Sequence, residues 1–263
     1  MKHLTIDQNK CIGCKICKTV CIRDNIEIID NHAQETENDC FDCGQCSTAC
    51  PTNAITLNVY KNQPIETYNP DKIPVTPEKL LQLYKQRRSC RWFKKEKLTK
   101  KEIKELLQAA YYSPNRQNIQ DVEYVLIEET QPFIEHIYHI IKEKQEEYPR
   151  IAQLGQYLED KNHNPDRHPL LWEGKQILLA FSQNQTDAVI AMTRLELLAY
   201  TKGYAGFYSL FIQMADQTNH TKLMQYFPEI NPDKHMYAVF IIGKPRIKYK
   251  RTRPHKEIKL TIK

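Results

Sequence analysis

Cys11-Ile-Gly-Cys14-Lys-Ile-Cys17-Lys-Thr-Val-Cys21 and Cys40-Phe-Asp-Cys43-Gly-Gln-Cys46-Ser-Thr-Ala-Cys50-Pro51 hold eight of the nine cysteines in this 263-residue chain. Both quartets are spaced C-x2-C-x2-C-x3-C, and they start 29 residues apart, so the front of the chain is an internal repeat. Ile26–Ile29 and Ala54–Leu57 follow the two quartets and read as matching short strands. Gly13 and Gly44 lie inside the loops, where backbone must pass close to whatever the thiols hold. Three thiolates at two-residue spacings wrap a loop around three corners of an inorganic core, and the fourth corner has to come from elsewhere. Disulfides are the first alternative. Met1–Asp7 lacks the apolar segment of a secretory leader, which predicts a reducing, cytoplasmic location and argues against them. Zinc is the second, but its sites show paired C-x2-C units rather than three cysteines in a row followed by x3-C.

The double quartet, with Pro51 after the second, is similar to the run of bacterial two-cluster ferredoxins, in which the fourth cysteine of each quartet ligates the other cluster. The resemblance implies that Cys11, Cys14, Cys17 and Cys50 hold one [4Fe–4S] cluster, and that Cys40, Cys43, Cys46 and Cys21 hold a second. Ile22 stands where a proline often follows the fourth cysteine. Cys90 stands apart and reads as a small buried apolar residue.

Behind this front lies an ordinary globular composition, 41% hydrophobic and 27% charged over the whole chain. The seven glycines fit neither G-x-G-x-x-G nor G-x-x-x-x-G-K-[ST], which excludes the usual dinucleotide fingerprint and the P-loop. Apolar runs such as Tyr237–Ile242 are too short to span a bilayer. Residues 1–57 carry five basic and eight acidic side chains, net −3, while the rest holds the other 33 basic and 24 acidic, net +9. The overall +6 therefore hides an acidic front module and a basic back one. Three parts are predicted: 1–57, an extended proline-bearing linker at 58–75, and 76–263.

In the third part, Thr76-Pro77 reads as a helix start, with Leu80, Leu81 and Tyr84 as its apolar stripe. Thr99-Lys-Lys-Glu102 is a capping box for a helix reaching about Tyr112, stopped at Ser113-Pro114. Val122–Ile127 and Met236–Ile242 read as strands. Residues 131–147, about 172–182, Gly206–Gln217 and the largely apolar Asp187–Thr201 read as helices, with a polar loop at Asp160–Pro169. The class predicted is α+β.

Three segments of the third part resemble the nitroreductase-like flavoproteins. Arg87-Arg88-Ser89-Cys90-Arg91-Trp92-Phe93 is similar to that family's R-R-S-x-R-x-F opening, and Ser113-Pro-Asn-Arg-Gln-Asn-Ile-Gln120 to its S-P-S-x-x-N-x-Q loop. Gly243-Lys-Pro-Arg246 with Lys250-Arg-Thr-Arg-Pro254 resembles its closing strand and basic tail. The resemblance covers about residues 76–263, and a ferredoxin front on such a domain is a known arrangement in the family. It implies FMN, with Arg87, Ser89 and Arg91 on its phosphate and ribityl chain. Guanidinium chemistry adds Arg88, whose fork suits phosphate oxygens, and Arg251 and Arg253 from the far end of the chain to close the phosphate pocket. Asn118 would lie at the ring edge, Gln120 would be a further cofactor contact, and Pro114 and Asn115 would line the ring from a second subunit. Lys244 is a candidate for tuning the flavin. Asp121 and Val122 replace the proline and aromatic that often follow N-x-Q. Gly203-Tyr-Ala-Gly206-Phe-Tyr replaces the commoner G-L-G-x-x-W of a segment that approaches the flavin in relatives, so Gly206 joins the candidate contacts.

Taken together, the motifs imply an FMN-dependent oxidoreductase receiving electrons through its own two [4Fe–4S] clusters. It would reduce an electron-poor organic acceptor such as a nitroaromatic or quinone. No side chain need act as a catalyst, because the cofactor carries the chemistry. Reduced ferredoxin or NAD(P)H would be the donor, and the family's dimeric folds imply a homodimer. An electron carrier with the same cofactors is the alternative. Nucleic-acid binding by the basic back module is disfavoured, because its aromatic residues do not interleave with the basic ones.

Overall fold

A computed structural model describes residues 2–63, 65–69, 71–160, 162–164 and 167–263. Pro64 and Pro70 of the expected linker and Lys161, Pro165 and Asp166 of the expected polar loop lie outside the described residues. Contacts divide the chain into Met1–Ile73 with Asn115–Gln120, and Pro74–Pro114 with Asp121–Lys263.

The first unit contains β1 (Leu4–Ile6), α1 (Ile16–Val20), β2 (Ile26–Ile29), β3 (His32–Glu35), α2 (Gln45–Thr48) and β4 (Ile55–Leu57). β1 and β4 pair antiparallel, Leu4 opposite Leu57 and Ile6 opposite Ile55. β2 and β3 form a hairpin whose two turn residues, Asp30 and Asn31, have φ of 49° and 61°, as a tight hairpin turn requires. The 29-residue repeat survives in the backbone. Gly13 and Asp42, Lys15 and Gly44, and Asp24 and Asn53 are pairs 29 apart, and all six have positive φ. Lys15 and Gly44 are the N-caps of α1 and α2, the helical turns that carry the third cysteine of each quartet. The apolar core is small: Leu4, Ile26, Ala33, Ile55 and Leu57, with Cys17 and Cys46.

Gly13 is needed for two reasons. Its φ is +65°, and a Cβ would stand 2.2 Å from the Asn31 carbonyl oxygen. Gly44 has φ +76°, but its Cβ would meet only a Leu57 methyl at 3.8 Å. Gly44→Ala is expected to cost only the left-handed backbone penalty, about 1–2 kcal/mol. Gly13→Ala is expected to cost clearly more, because the hairpin turn must also move. Urea midpoints of the two variants check this, and equal losses would refute the clash.

The second unit begins with α3 (Pro77–Gln86) and α4 (Lys100–Tyr111). Thr76 Oγ1 accepts the Lys79 N–H at 3.4 Å, and the capping box on α4 has both of its hydrogen bonds. There follow β5 (Glu123–Ile127), α5 (Thr130–Ile141), α6 (Pro149–Glu159), β6 (Gln176–Ser182) and α7 (Gln185–Thr201). β7 (Ala205–Tyr208), α8 (Leu210–Thr218), α9 (His220–Met224) and β8 (His235–Gly243) complete it. The sheet runs β5-β6-β8-β7, each neighbouring pair antiparallel.

Ile177, Leu179 and Phe181 of β6 pack with Phe133, Ile134, Ile137 and Leu154 from α5 and α6. Leu178 and Ala180 pack on the other face with Leu106 of α4 and Ala191, Met192 and Leu195 of α7. The α+β class expected from sequence is thus a sheet covered on both faces. Among the described residues no helix is long and apolar enough to cross a membrane.

Three sequence expectations are corrected. Residues 172–182 contain strand β6 rather than a helix. All seven residues of β6 are buried, so the alternation that marks a half-exposed strand is absent. Gly206–Gln217 divides into β7 and α8, with Ser209 between them capping α8 through the Ile212 N–H. The expected helix 131–147 ends at Ile141, and a separate helix, α6, starts at Pro149.

Candidate functional site

In the first unit the eight thiols are free and gather in two hollows. One is lined by Cys11, Cys14, Cys17 and Cys50, with Ile12, Gly13, Ile28 and Ile55. The other is lined by Cys21, Cys40, Cys43 and Cys46, with Leu4, Ile26 and Leu57. The fourth cysteine of each quartet thus faces the three leading cysteines of the other. Backbone N–H groups point at four sulfurs: Ala33 at Cys11 (3.3 Å), Asn25 at Cys21 (3.4 Å), Asp42 at Cys40 (3.4 Å) and Ala54 at Cys50 (3.3 Å).

Electrostatics show what the hollows require. Burial pushes the Cys46 thiol up to about 12, and the neighbouring Cys21, Cys43 and Cys40 add to the rise. Burial likewise raises Cys17 and Cys40. At Cys50 burial alone would raise the thiol, but hydrogen bonds led by the Ala54 N–H outweigh it and hold the thiol below its usual value. Four thiolates cannot share such an apolar hollow without compensating positive charge, and an iron–sulfur core supplies it. The residues present fit two [4Fe–4S] clusters.

Asn118 and Gln120 also bond within this unit. Asn118 Nδ2 donates to the Phe41 and Asp42 carbonyls at 3.3 and 2.9 Å, and Gln120 Nε2 donates to the Tyr60 hydroxyl at 2.7 Å. Asn115 Oδ1 accepts the Gln120 N–H at 3.0 Å. Sequence division puts these three residues in 76–263, whereas contacts group the segment with the cysteine unit. Tyr60, expected in the linker, packs on that unit's core.

The second unit gathers several of the other candidates. The strand-like segment after α3 runs beside β7 and the end of β8. The Cys90 N–H donates to Gly206 O at 2.9 Å, the Lys94 N–H to Lys244 O at 2.8 Å, and the Arg246 N–H to Trp92 O at 2.9 Å. Gly206 permits the close pairing of β7 with β8, since a Cβ there would lie 2.2 Å from the Ile241 carbonyl oxygen. These backbone bonds set the segment that carries Arg87, Arg88, Ser89 and Arg91 beside Gly206 at Cys90, and beside Lys244 at Lys94. Pro114 is exposed at the end of its segment, and Arg251 and Arg253 are exposed on the tail.

Each cation has its own setting. Arg87 Nη1 pairs with Glu196 Oε1 at 3.0 Å. Burial raises the Glu196 carboxyl, and Arg87 partly counters that rise. The Arg88 guanidinium lies 5.3 Å from the Tyr249 ring, and the Tyr249 hydroxyl donates to Ser89 O at 3.4 Å. The Arg91 guanidinium lies over Trp172 at 4.9 Å and Phe207 at 5.0 Å, while its buried Nε has no hydrogen-bond partner among the described residues. Lys244 Nζ sits 3.6 Å from Glu102 Oε1. Cys90 is 1% exposed, its thiol donates to Trp92 O at 3.3 Å, and burial raises its pKa, so it is a packing residue rather than a nucleophile.

Sequence reasoning missed three participants. Glu173 accepts the Phe93 N–H at 2.9 Å and pairs with Arg246. Trp172 has φ of 52° and lies beneath both Arg91 and Arg150. Trp92, Arg150, Trp172, Glu173 and Arg246 line a cleft of about 750 Å³. Glu196 carried a faint signal, a lone acid near the end of an apolar helix. The other two carried none, because the contacts of Glu173 with Phe93 and Arg246 and of Trp172 with Arg91 join residues far apart in sequence.

The family model described as the nitroreductase family matches residues 84–244, and one described as a 4Fe-4S binding domain matches 34–56. No curated protein matches the chain. Among solved structures, a nitroreductase with bound FMN from Bacteroides fragilis is 13% identical with a TM-score of 0.55, covering 70% of this chain and 98% of that one. An FMN-dependent nitroreductase from Clostridium difficile is 14% identical with a TM-score of 0.53, covering 71% and 100%. A BluB-like flavoprotein from Clostridium difficile is 18% identical with a TM-score of 0.52, covering 70% and 99%. With a family model covering well over half its length, and the matching fold, this chain belongs to the nitroreductase family and carries a 4Fe–4S binding domain ahead of the family's own domain.

Proposed function

We propose that this protein is an FMN-dependent oxidoreductase that takes electrons through its own two [4Fe–4S] clusters and reduces an electron-poor organic acceptor. One observation carries the reading. A chain of the nitroreductase family gathers eight cysteines in two hollows and, in its second unit, carries an arginine-rich segment whose buried Arg91 Nε has no partner among the described residues.

The residues fit the flavin. Arg88 and Arg91 present forked donors suited to a phosphate dianion. Arg251 and Arg253 on the tail would add positive charge to the phosphate pocket, and Arg87, held by Glu196, would orient the segment that carries the others. Lys244 would place a positive charge that favours electron-rich flavin. Asn118, Gln120, Pro114, Asn115 and Gly206 remain proposed contacts, the first two through amide groups that already donate to backbone and tyrosine oxygens. FMN, when bound, supplies two-electron chemistry that the side chains cannot. The chain's own residues bind and orient. The thiols anchor the clusters, the N–H groups facing sulfur tune them, and the apolar linings exclude water.

Reduced ferredoxin or NAD(P)H is the proposed donor, and a nitroaromatic or quinone the acceptor. The reduced thiols suit the cytoplasm. Leu80, Leu81 and Tyr84 on α3 are 40, 52 and 51% exposed, an apolar stripe that a second copy of the chain would cover in a homodimer.

Anaerobic purification tests this reading. About eight irons and one FMN per chain are expected, in a particle that sediments at the dimer mass. On reduction, the sample should be reoxidised by some member of an acceptor panel faster than by buffer. Full cofactors with no accelerated turnover would favour an electron carrier. Zinc in place of iron would overturn both readings.

A further inference from the structure

Three side chains of the second unit that belong to neither site converge on one point. Asp216 lies near the end of α8, His220 opens α9 and His235 opens β8. Asp216 Oδ1 is 2.8 Å from His220 Nδ1, and its Oδ2 is 2.8 Å from His235 Nδ1. The two imidazoles stack with centroids 4.1 Å apart and planes 33° apart. The ligand atoms of all three residues lie within 4.8 Å of one another.

The hydrogen bonds around His220 leave it without a neutral solution. Its Nε2 is 2.7 Å from the Pro232 carbonyl oxygen, which only accepts, so Nε2 carries a hydrogen. In a neutral ring Nδ1 is then bare, yet it faces a carboxylate oxygen, a second acceptor. Something positive must sit between them, either a second proton or a metal ion. A histidine that ligates metal through one nitrogen and donates the other N–H to a backbone carbonyl is the usual outer-shell pattern of metal sites. Asp216 Oδ1 also accepts the Met236 N–H at 3.3 Å, which orients the carboxylate.

Exposure fits an ion with an open position. The Asp216 side chain is 5% exposed, His220 25% and His235 40%, so the carboxylate is anchored in the core while one side of the cluster meets water. Two imidazoles and a carboxylate suit zinc and its neighbours among the divalent first-row cations. At zinc distances of roughly 2.0–2.1 Å the donor atoms would stand roughly 3.3 Å apart. Each histidine nitrogen now stands 2.8 Å from a carboxylate oxygen and would withdraw from it by about half an ångström, and His235 has solvent on one side to do so.

We propose that Asp216, His220 and His235 form a zinc-type divalent cation site that pins α8, α9 and the start of β8 together. Nothing in the proposed redox chemistry requires it, and its failure would leave that reading standing.

The test uses the anaerobically purified, cluster-loaded protein, dialysed against zinc and then against zinc-free buffer. About one zinc per chain is expected in the parent protein. The double variant His220→Gln, His235→Gln should retain under about a tenth of that with iron content unchanged, a drop consistent with loss of two of three ligands. Zinc should raise the melting temperature of the parent protein and not of the variant. Zinc-edge absorption should show nitrogen and oxygen neighbours at about 2.0–2.1 Å and no sulfur near about 2.3 Å. Zinc content equal in parent and variant, sulfur in the first shell, or no zinc retained at all would each overturn the site. The last result would mean that a proton on His220 Nδ1 fills the gap.

Discussion

Stripping iron from the cluster-loaded protein is expected to unfold the first unit and leave the second folded. The first unit's buried apolar side chains are few, and two of the seven are cysteines of the hollows. A module of this size buries too little surface to offset its chain entropy unaided. Metal binding then becomes folding free energy, on the order of 10 kcal/mol in small metal-dependent domains. The second unit owes nothing to iron, since β6 and β8 are buried between two helical layers. Hydrogen exchange separates the two. Protection at Thr56, whose N–H lies in the β1–β4 ladder, should vanish on iron removal while that at Leu178 and Phe240 persists, and survival of protection in β4 would sink the argument. Cysteine variants test the crossover itself. Cys46→Ser and Cys21→Ser should each lower iron from about eight to about four per chain and remove the same cluster's paramagnetic signal. Cys17→Ser should remove the other. If Cys21→Ser instead behaves like Cys17→Ser, each quartet serves its own cluster.

The two halves of the chain were not equally legible. Cysteine spacing is a local code. Ligands must recur at fixed intervals, so the quartets, the 29-residue repeat and the two strands that follow can be read without knowing what touches what. Helix caps are local too, which is why Thr76 and Thr99 mark the starts of α3 and α4 correctly. β6 was hidden because both of its faces are buried, and an apolar run without alternation fits helix or strand equally. α6 was hidden because Tyr148 provides no side-chain cap. The site in the second unit was half legible. Its arginines lie in one motif, but Arg87 is held by Glu196, 109 positions away, and Arg246 by Glu173, 73 away. Long-range pairing of this kind has no signature in one sequence. The loop Asn115–Gln120 shows the other limit. Its motif named the residues, whereas its hydrogen bonds to Phe41, Asp42 and Tyr60 depend on the tertiary structure.

Arg91→Ala is expected to weaken FMN binding by about 10- to 100-fold, taking a hydrogen bond to a charged group as about 1.5–3 kcal/mol. Of the motif's three arginines, Arg91 is the one with a buried nitrogen lacking a partner, whereas Arg87 is already engaged by Glu196. A buried unpaired N–H on a guanidinium is costly, and an anionic ligand within reach would remove that cost. The same side chain lies against Trp172 and Phe207, so alanine also removes packing and lowers the stability of the second unit. Arg91→Lys separates the two effects. It keeps the charge and most of the stem but loses the planar fork and the stacking, so it should restore part of the stability and little of the affinity. The readouts are flavin affinity from fluorescence quenching, the melting temperature of the flavin-free protein, and iron per chain. Iron should be unchanged in both variants, because every thiol that would hold it belongs to the other unit. Unchanged flavin affinity in Arg91→Ala would remove this residue from the site. Equal loss of flavin and iron would mean that the two units do not hold their cofactors independently.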